Sequence, residues 1–131
     1  MSYLKIISLV LVCMVMAGCV GLSSVEQSAQ RPSPKIKFSL DEIRPDGLHG
    51  SEGGLVSVAY EFCVPADNSV YQEVRRIDPS VQIHPSSRGR IACTADQALS
   101  IGETYQPHWK DILKKLAALP YVTEIRRCDF E

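Results

Sequence analysis

Residues 55–64 read Leu-Val-Ser-Val-Ala-Tyr-Glu-Phe-Cys-Val, and every second side chain from Val56 to Val64 is large and apolar. Neighbouring side chains of a strand point to opposite faces. This period of two therefore places Val56, Val58, Tyr60, Phe62 and Val64 on one side, with Ser57, Glu61 and Cys63 on the other. The apolar side belongs to a core, so the chain must build a sheet with a second layer packed against it.

The flanking segments supply that layer. Ser69 and Gln72 have the spacing of a capping box, in which hydroxyl and amide satisfy unpaired backbone donors. Val70, Val74 and Ile77 then recur at helical spacing until Pro79 ends the helix after Asp78. Residues 81–84 read as a second strand, and Pro85-Ser86-Ser87-Arg88-Gly89-Arg90 carries turn chemistry. A third strand begins at 91–93 and continues into 99–101 after an irregular segment containing Asp96. Pro107 suits a first helical position. Beyond it Trp109, Ile112, Leu113, Leu116 and Leu119 mark one helix face and Lys110, Lys114 and Lys115 the other, until Pro120 stops the helix. Residues 122–130 read as the closing strand. Upstream, 36–40 alternates polar and apolar residues, as an added edge strand or as part of a tether, before the Pro45-Asp46-Gly47 turn and a glycine-rich loop at 47–54.

The order strand, helix, strand, strand, helix, strand predicts an α+β domain. Its common compact solution is a four-stranded antiparallel sheet with both helices on one face, the ferredoxin-like βαββαβ arrangement. Right-handed crossovers then put the first strand beside the third and the fourth. A four-stranded α+β sandwich of different strand order is the competing solution.

The first residues carry a different message. Lys5 precedes an apolar run at 6–15 that ends in Met16-Ala17-Gly18-Cys19, the tripartite order of an export signal. This segment resembles the lipobox of bacterial lipoproteins, with Met16 where that pattern usually carries Leu. Ala17 and Gly18 provide the small side chains that flank the cleaved bond, whereas Cys13 follows Val12 and does not fit. The resemblance covers the leader alone. It implies removal of residues 1–18, lipidation of Cys19 with two or three acyl chains, and anchoring to the bacterial cell envelope as a palmitate-bearing lipoprotein. Several chains on one cysteine hold a protein stably where one does not. It also implies, through Val20, sorting to the outer membrane facing the periplasm in a host with two membranes. The other reading of this segment is an uncleaved anchor, since residues 6–22 stand at the lower limit of about 17 residues for a membrane span. Both readings leave the domain outside the cytoplasm. Residues 19–34, rich in Ser, Gln, Gly and Pro, then read as a flexible tether and 35–131 as a single domain.

An exported domain can hold disulfides. With Cys19 reserved for lipid, Cys63, Cys93 and Cys128 remain. In the proposed sheet the end of the first strand meets the start of the third, which brings Cys63 near Cys93. That bridge would close a loop of about thirty residues and contribute roughly 3–4 kcal/mol. A Cys63–Cys128 bridge and a fully reduced set are the alternatives. Arg126 and Arg127 beside Cys128 would favour a thiolate, but no C-x-x-C pair accompanies them. His49, His84 and His108 lack metal-ligand spacing, and Glu61, Asp67, Glu103 and Asp111 form no evident acid/base pair. No catalytic residue, metal or cofactor is implied. A formal net charge of -1 gives no basic field for nucleic acid.

The segment most suited to binding joins Arg88 and Arg90, two guanidinium groups around a glycine, to His108 and Trp109 at the start of the second helix. Two function classes follow. One is a non-catalytic envelope domain that binds a protein or polymer partner through the open sheet face or a free edge, with Ser57, Glu61, Glu124 and Arg126 as polar contacts. The other is a small-ligand, anion-binding or enzyme-accessory domain with a concave pocket.

Overall fold

The computed structural model describes residues 32–129. They form an α+β domain with two helices, a four-stranded antiparallel sheet and a two-stranded antiparallel sheet. The small sheet pairs β1 (Leu48–His49) with β2 (Val56–Ser57). The elements of the larger part are β3 (Ala59–Pro65), α1 (Asn68–Ile77), β4 (Gln82–His84), β5 (Gln97–Glu103), α2 (Trp109–Ala118) and β6 (Arg126–Arg127). The large sheet has the order β4-β5-β3-β6, so β3 lies between β5 and β6.

The period of two in 55–64 spans a change of sheet. Val56 and Ser57 pair with His49 and Leu48, whereas Ala59 onward pairs with β5 and β6. Val56 is consequently 55% exposed instead of buried, and the core face begins at Val58. Thr104 makes the join: its hydroxyl accepts from the Val58 N–H at 3.0 Å and donates to the Gly47 carbonyl, pinning the glycine-rich segment to the end of β5.

Tyr60, Phe62 and Val64 share a face with their register partners Gly102, Ser100 and Ala98. They join Val74 of α1 and Ile112, Leu113, Leu116 and Ala117 of α2 in one core. Burying a side chain of this size stabilises by roughly 1.5–3 kcal/mol, so this face dominates the fold. Cap chemistry starts α1 two residues earlier than the Ser69–Gln72 spacing suggests. Asp67 is the N-cap, and its Oδ1 accepts from the N–H groups of Ser69 at 2.7 Å and Val70 at 3.4 Å. A carboxylate also suits the positive end of the helix better than a hydroxyl.

Two further expectations are corrected. Residues 91–93 are not strand: Gly89 and Ala92 both have positive φ, and the chain enters β5 at Gln97. Residues 36–40 form no strand beyond a single parallel bridge between Ile36 and Ile125, after which Leu40 and Ile43 turn into the core. That bridge closes the outer side of the sheet next to β6, with Lys37 N–H donating to the Ile125 carbonyl at 2.9 Å and Ile125 N–H to the Lys35 carbonyl at 2.8 Å. Among the described residues no helix is long and apolar enough to cross a membrane.

Candidate functional site

The second face of the large sheet has a covered half and an open half, and register decides which residues fall in each. Directly opposed side chains in antiparallel strands share a face. Glu61 therefore lies level with Ile101 and Gln82, Cys63 with Leu99 and His84, and Ala59 with Glu103. The loop 85–96 leaves β4 and folds back over Cys63, Leu99 and Glu61. A disulfide between Cys63 and Cys93, with Cα atoms 5.5 Å apart, holds it there. Gly89 also approaches the strands closely: with φ +61°, a Cβ on it would stand 2.6 Å from Leu99 Cδ1 and 2.8 Å from Glu61 Oε2. Beneath it Leu99 is 3% and Glu61 2% exposed.

The open half is a groove of about 390 Å³. Ala59, Ile101 and Gly102 form its floor, the exposed Gln82 and His84 one wall, and Ser80 and Glu103 one end. The groove runs beside β4, which among the described residues has no strand on its outer side, whereas the opposite edge is closed by the bridge at Ile36. An amide, an imidazole, a hydroxyl and a carboxylate around an apolar floor can position a ligand by hydrogen bonds and contact area.

A buried polar network fixes the Ser80 end. Asp78, the C-cap residue of α1, is fully buried, and its carboxylate is satisfied on both oxygens. The Tyr60 hydroxyl donates to Oδ2 at 2.6 Å. Ser80 N–H at 2.9 Å, Ser80 hydroxyl at 2.7 Å and Gln106 Nε2 at 2.9 Å all donate to Oδ1. Ser80 Oγ in turn accepts from the Glu103 N–H at 3.0 Å. Burial first, then the Asp78 carboxylate, push the Tyr60 phenol far above its ordinary value. Gly102 is required here, because a Cβ would meet Asp78 Oδ2 at 2.3 Å and the Tyr60 ring at 2.6 Å.

The residues singled out from sequence do not form one site. Arg88 and Arg90 lie exposed in the loop over the second face. Trp109 is 2% exposed in the core, and its indole N–H donates to the Pro45 carbonyl at 3.1 Å. His108 is exposed at the left-handed N-cap of α2 and makes no side-chain cap bond. Trp109 is thus a packing residue, as its helical spacing with Ile112, Leu113 and Leu116 allows. Of the four polar contacts expected on the open face, Glu61 is buried, Ser57 accepts from the Tyr105 N–H at 3.1 Å, and Arg126 pairs with Glu124 at 3.1 Å.

Cys63 and Cys93 meet because the loop folds back, since the register partner of Cys63 in β5 is Leu99. Cys128 is a half-buried free thiol, pushed up chiefly by burial and next by the nearby Glu61 carboxylate, with Arg90 opposing. Cys19 lies outside the described residues. Among the described residues no group of three or more His, Cys, Asp or Glu side chains is placed to hold a metal ion. Sequence reasoning missed Ser80, Gln82 and Glu103 as lining residues. The outward pair Gln82 and His84 around Ile83 was the available signal. No family model, curated protein or solved structure matches the chain.

Proposed function

We propose that this chain is a lipid-anchored protein of the bacterial cell envelope whose domain binds an envelope protein or polymer and carries no catalytic centre. Cys19 is the lipid attachment site, residues 19–34 tether the domain, and the outer membrane is the destination in a host with two membranes. The lipobox-like Met16-Ala17-Gly18-Cys19 supports the anchor. The strand order β4-β5-β3-β6, with both helices contributing to one core, supports a ferredoxin-like βαββαβ reading of the domain.

The observation that carries the binding reading is the groove of about 390 Å³ on the second sheet face, beside the edge of β4 that is unpaired among the described residues. Formaldehyde crosslinking in intact cells tests it with Ile101→Glu, which puts a carboxylate on the groove floor. Adducts formed by the natural protein should fall with the variant, and unchanged adducts retire the reading. Fatty-acid labelling tests the anchor, because Cys19→Ser should abolish incorporation. A second reading, binding of a small anion, is favoured by Arg88 and Arg90, which form no ion pair among the described residues. It requires that Arg88→Ala with Arg90→Ala weaken that binding.

A further inference from the structure

We propose that the Cys63–Cys93 disulfide is a redox latch on the loop 85–96 and sets how much of the second sheet face the groove presents; this rests on reading that face as the binding site. The loop 85–96 is fastened mainly at its two ends and by the disulfide. At its feet, Ser87 N–H donates to the His84 carbonyl at 3.2 Å and Ala66 N–H to the Asp96 carbonyl at 3.0 Å. Its central hydrogen bonds are internal: Cys93 N–H to the Arg88 carbonyl at 2.9 Å and Ala92 N–H to the Gly89 carbonyl at 3.4 Å. Among the described residues no hydrogen bond or ion pair runs from 88–93 to a strand of the sheet. The disulfide and the approach of Gly89 to Leu99 and Glu61 tie this part of the loop to the sheet.

Little apolar area reinforces them. From 85 to 96 every residue is exposed except Cys93, which is buried, and Ile91, which is half-buried. Ordering such a segment costs conformational entropy at each residue, and few buried side chains offset it. Beneath the loop Glu61 as a residue is only 2% exposed. Its register neighbour Arg126 pairs with Glu124. The conformational freedom the loop regains favours opening. Burial of Leu99 favours closure, and the covalent link decides the balance.

A dithiol reductant completes the chemistry. One of its thiolates attacks Sγ of the half-exposed Cys63, and Cys93 leaves as a thiolate that takes up a proton. The second thiol of the reductant then resolves the mixed disulfide and releases Cys63 as a thiol. Two electrons and two protons pass to the protein, and the reductant becomes its own disulfide. The freed loop uncovers Glu61, Cys63 and Leu99. All three are level with groove residues Ile101, Gln82 and His84, so the groove lengthens along the sheet and gains a carboxylate.

The test uses the full chain carrying Cys13→Ser, Cys19→Ser and Cys128→Ser in mild detergent, oxidised and after dithiothreitol treatment. Carbodiimide-driven carboxyl labelling reads Glu61, and amide hydrogen exchange reads the β3–β5 ladder. On reduction, Glu61 labelling should rise by about tenfold or more while the ladder keeps its protection, as expected of a local opening. Adding Cys63→Ser and Cys93→Ser should reproduce the reduced pattern. Unchanged Glu61 labelling overturns the latch, and so does loss of ladder protection with it, which would make the disulfide a global staple. A photoreactive residue at Gln82 in cells separates the two claims. Redox-independent crosslinks with no change at Glu61 remove the latch alone. Glu61 exposure without crosslinks in either redox state supports the latch and removes the docking reading.

Discussion

Tyr60→Phe isolates the buried network that orients Ser80. The substitution keeps the ring, its packing 6.4 Å from Phe62 and its volume, and deletes the one donor to Asp78 Oδ2. Oδ1 keeps its three donors from Ser80 and Gln106, so the carboxylate stays in place with one oxygen unsatisfied. Hydrogen bonds to charged groups contribute roughly 1.5–3 kcal/mol, and full burial of Asp78 argues for the upper part of that range, about 2–3 kcal/mol. For a domain of this size that lowers the Tm by roughly 10–20 °C. Tyr121→Phe is the matched control. It deletes a bond of similar length, 2.7 Å to Glu73 Oε2, but both residues are only half-buried. That loss should stay near 0.5–1 kcal/mol, because water replaces the lost donor. Urea unfolding followed by Trp109 fluorescence measures both. Equal losses from the two variants, or a Tyr60→Phe loss under about 1 kcal/mol, would refute burial as the source of the network's strength.

Other outcomes follow from single groups. Ser100 Oγ is buried between Phe62 and Ile83 without a hydrogen-bond partner among the described residues. Ser100→Ala should therefore raise stability by about 0.5–1 kcal/mol in urea, and a destabilised variant would show that the hydroxyl is satisfied. Burial and Glu61 push the Cys128 thiol up, so iodoacetamide should alkylate the folded chain at this site more slowly than a model thiol at the same neutral pH. A faster reaction contradicts that environment. Donation from the Ser69 hydroxyl to Asp67 and from the Thr94 hydroxyl to Asp96 holds both carboxyls below their usual range. A lowered folded value means the stabilisation is complete above the unfolded value of about 3.9 and is lost as pH falls through the folded one. Unfolding midpoints should drop below about pH 4, and less steeply in Asp67→Asn; an unchanged slope rejects the Asp67 contribution.

What sequence could reveal was set by the range of the forces involved. Local signals were readable: the alternation through Tyr60, Phe62 and Val64, the helical spacing of Trp109, Ile112, Leu113 and Leu116, and the stops at Pro79 and Pro120. Alternation cannot register that a strand changes partner, which is why Val56 reads as core and lies in a two-stranded sheet at the surface. Ile91-Ala92-Cys93 reads as strand because its composition is apolar, yet the disulfide to Cys63 and the positive φ at Gly89 and Ala92 make it part of a loop. Glu61 has the position of a solvent-facing strand residue and is buried by a turn nearly thirty residues later. Asp78 meets Tyr60 and Gln106 only through tertiary packing, so no local pattern marks it.

The most direct test of docking on the second sheet face is site-resolved photocrosslinking in intact cells, with the photoreactive residue at Gln82 or His84 and, separately, at Lys115. Gln82 and His84 wall the groove, and Lys115 is exposed on α2 within the helical layer. Docking on this face should give adducts of one shared mass from Gln82 and His84 and none from Lys115. Adducts from Lys115 with none from the two groove positions would contradict it.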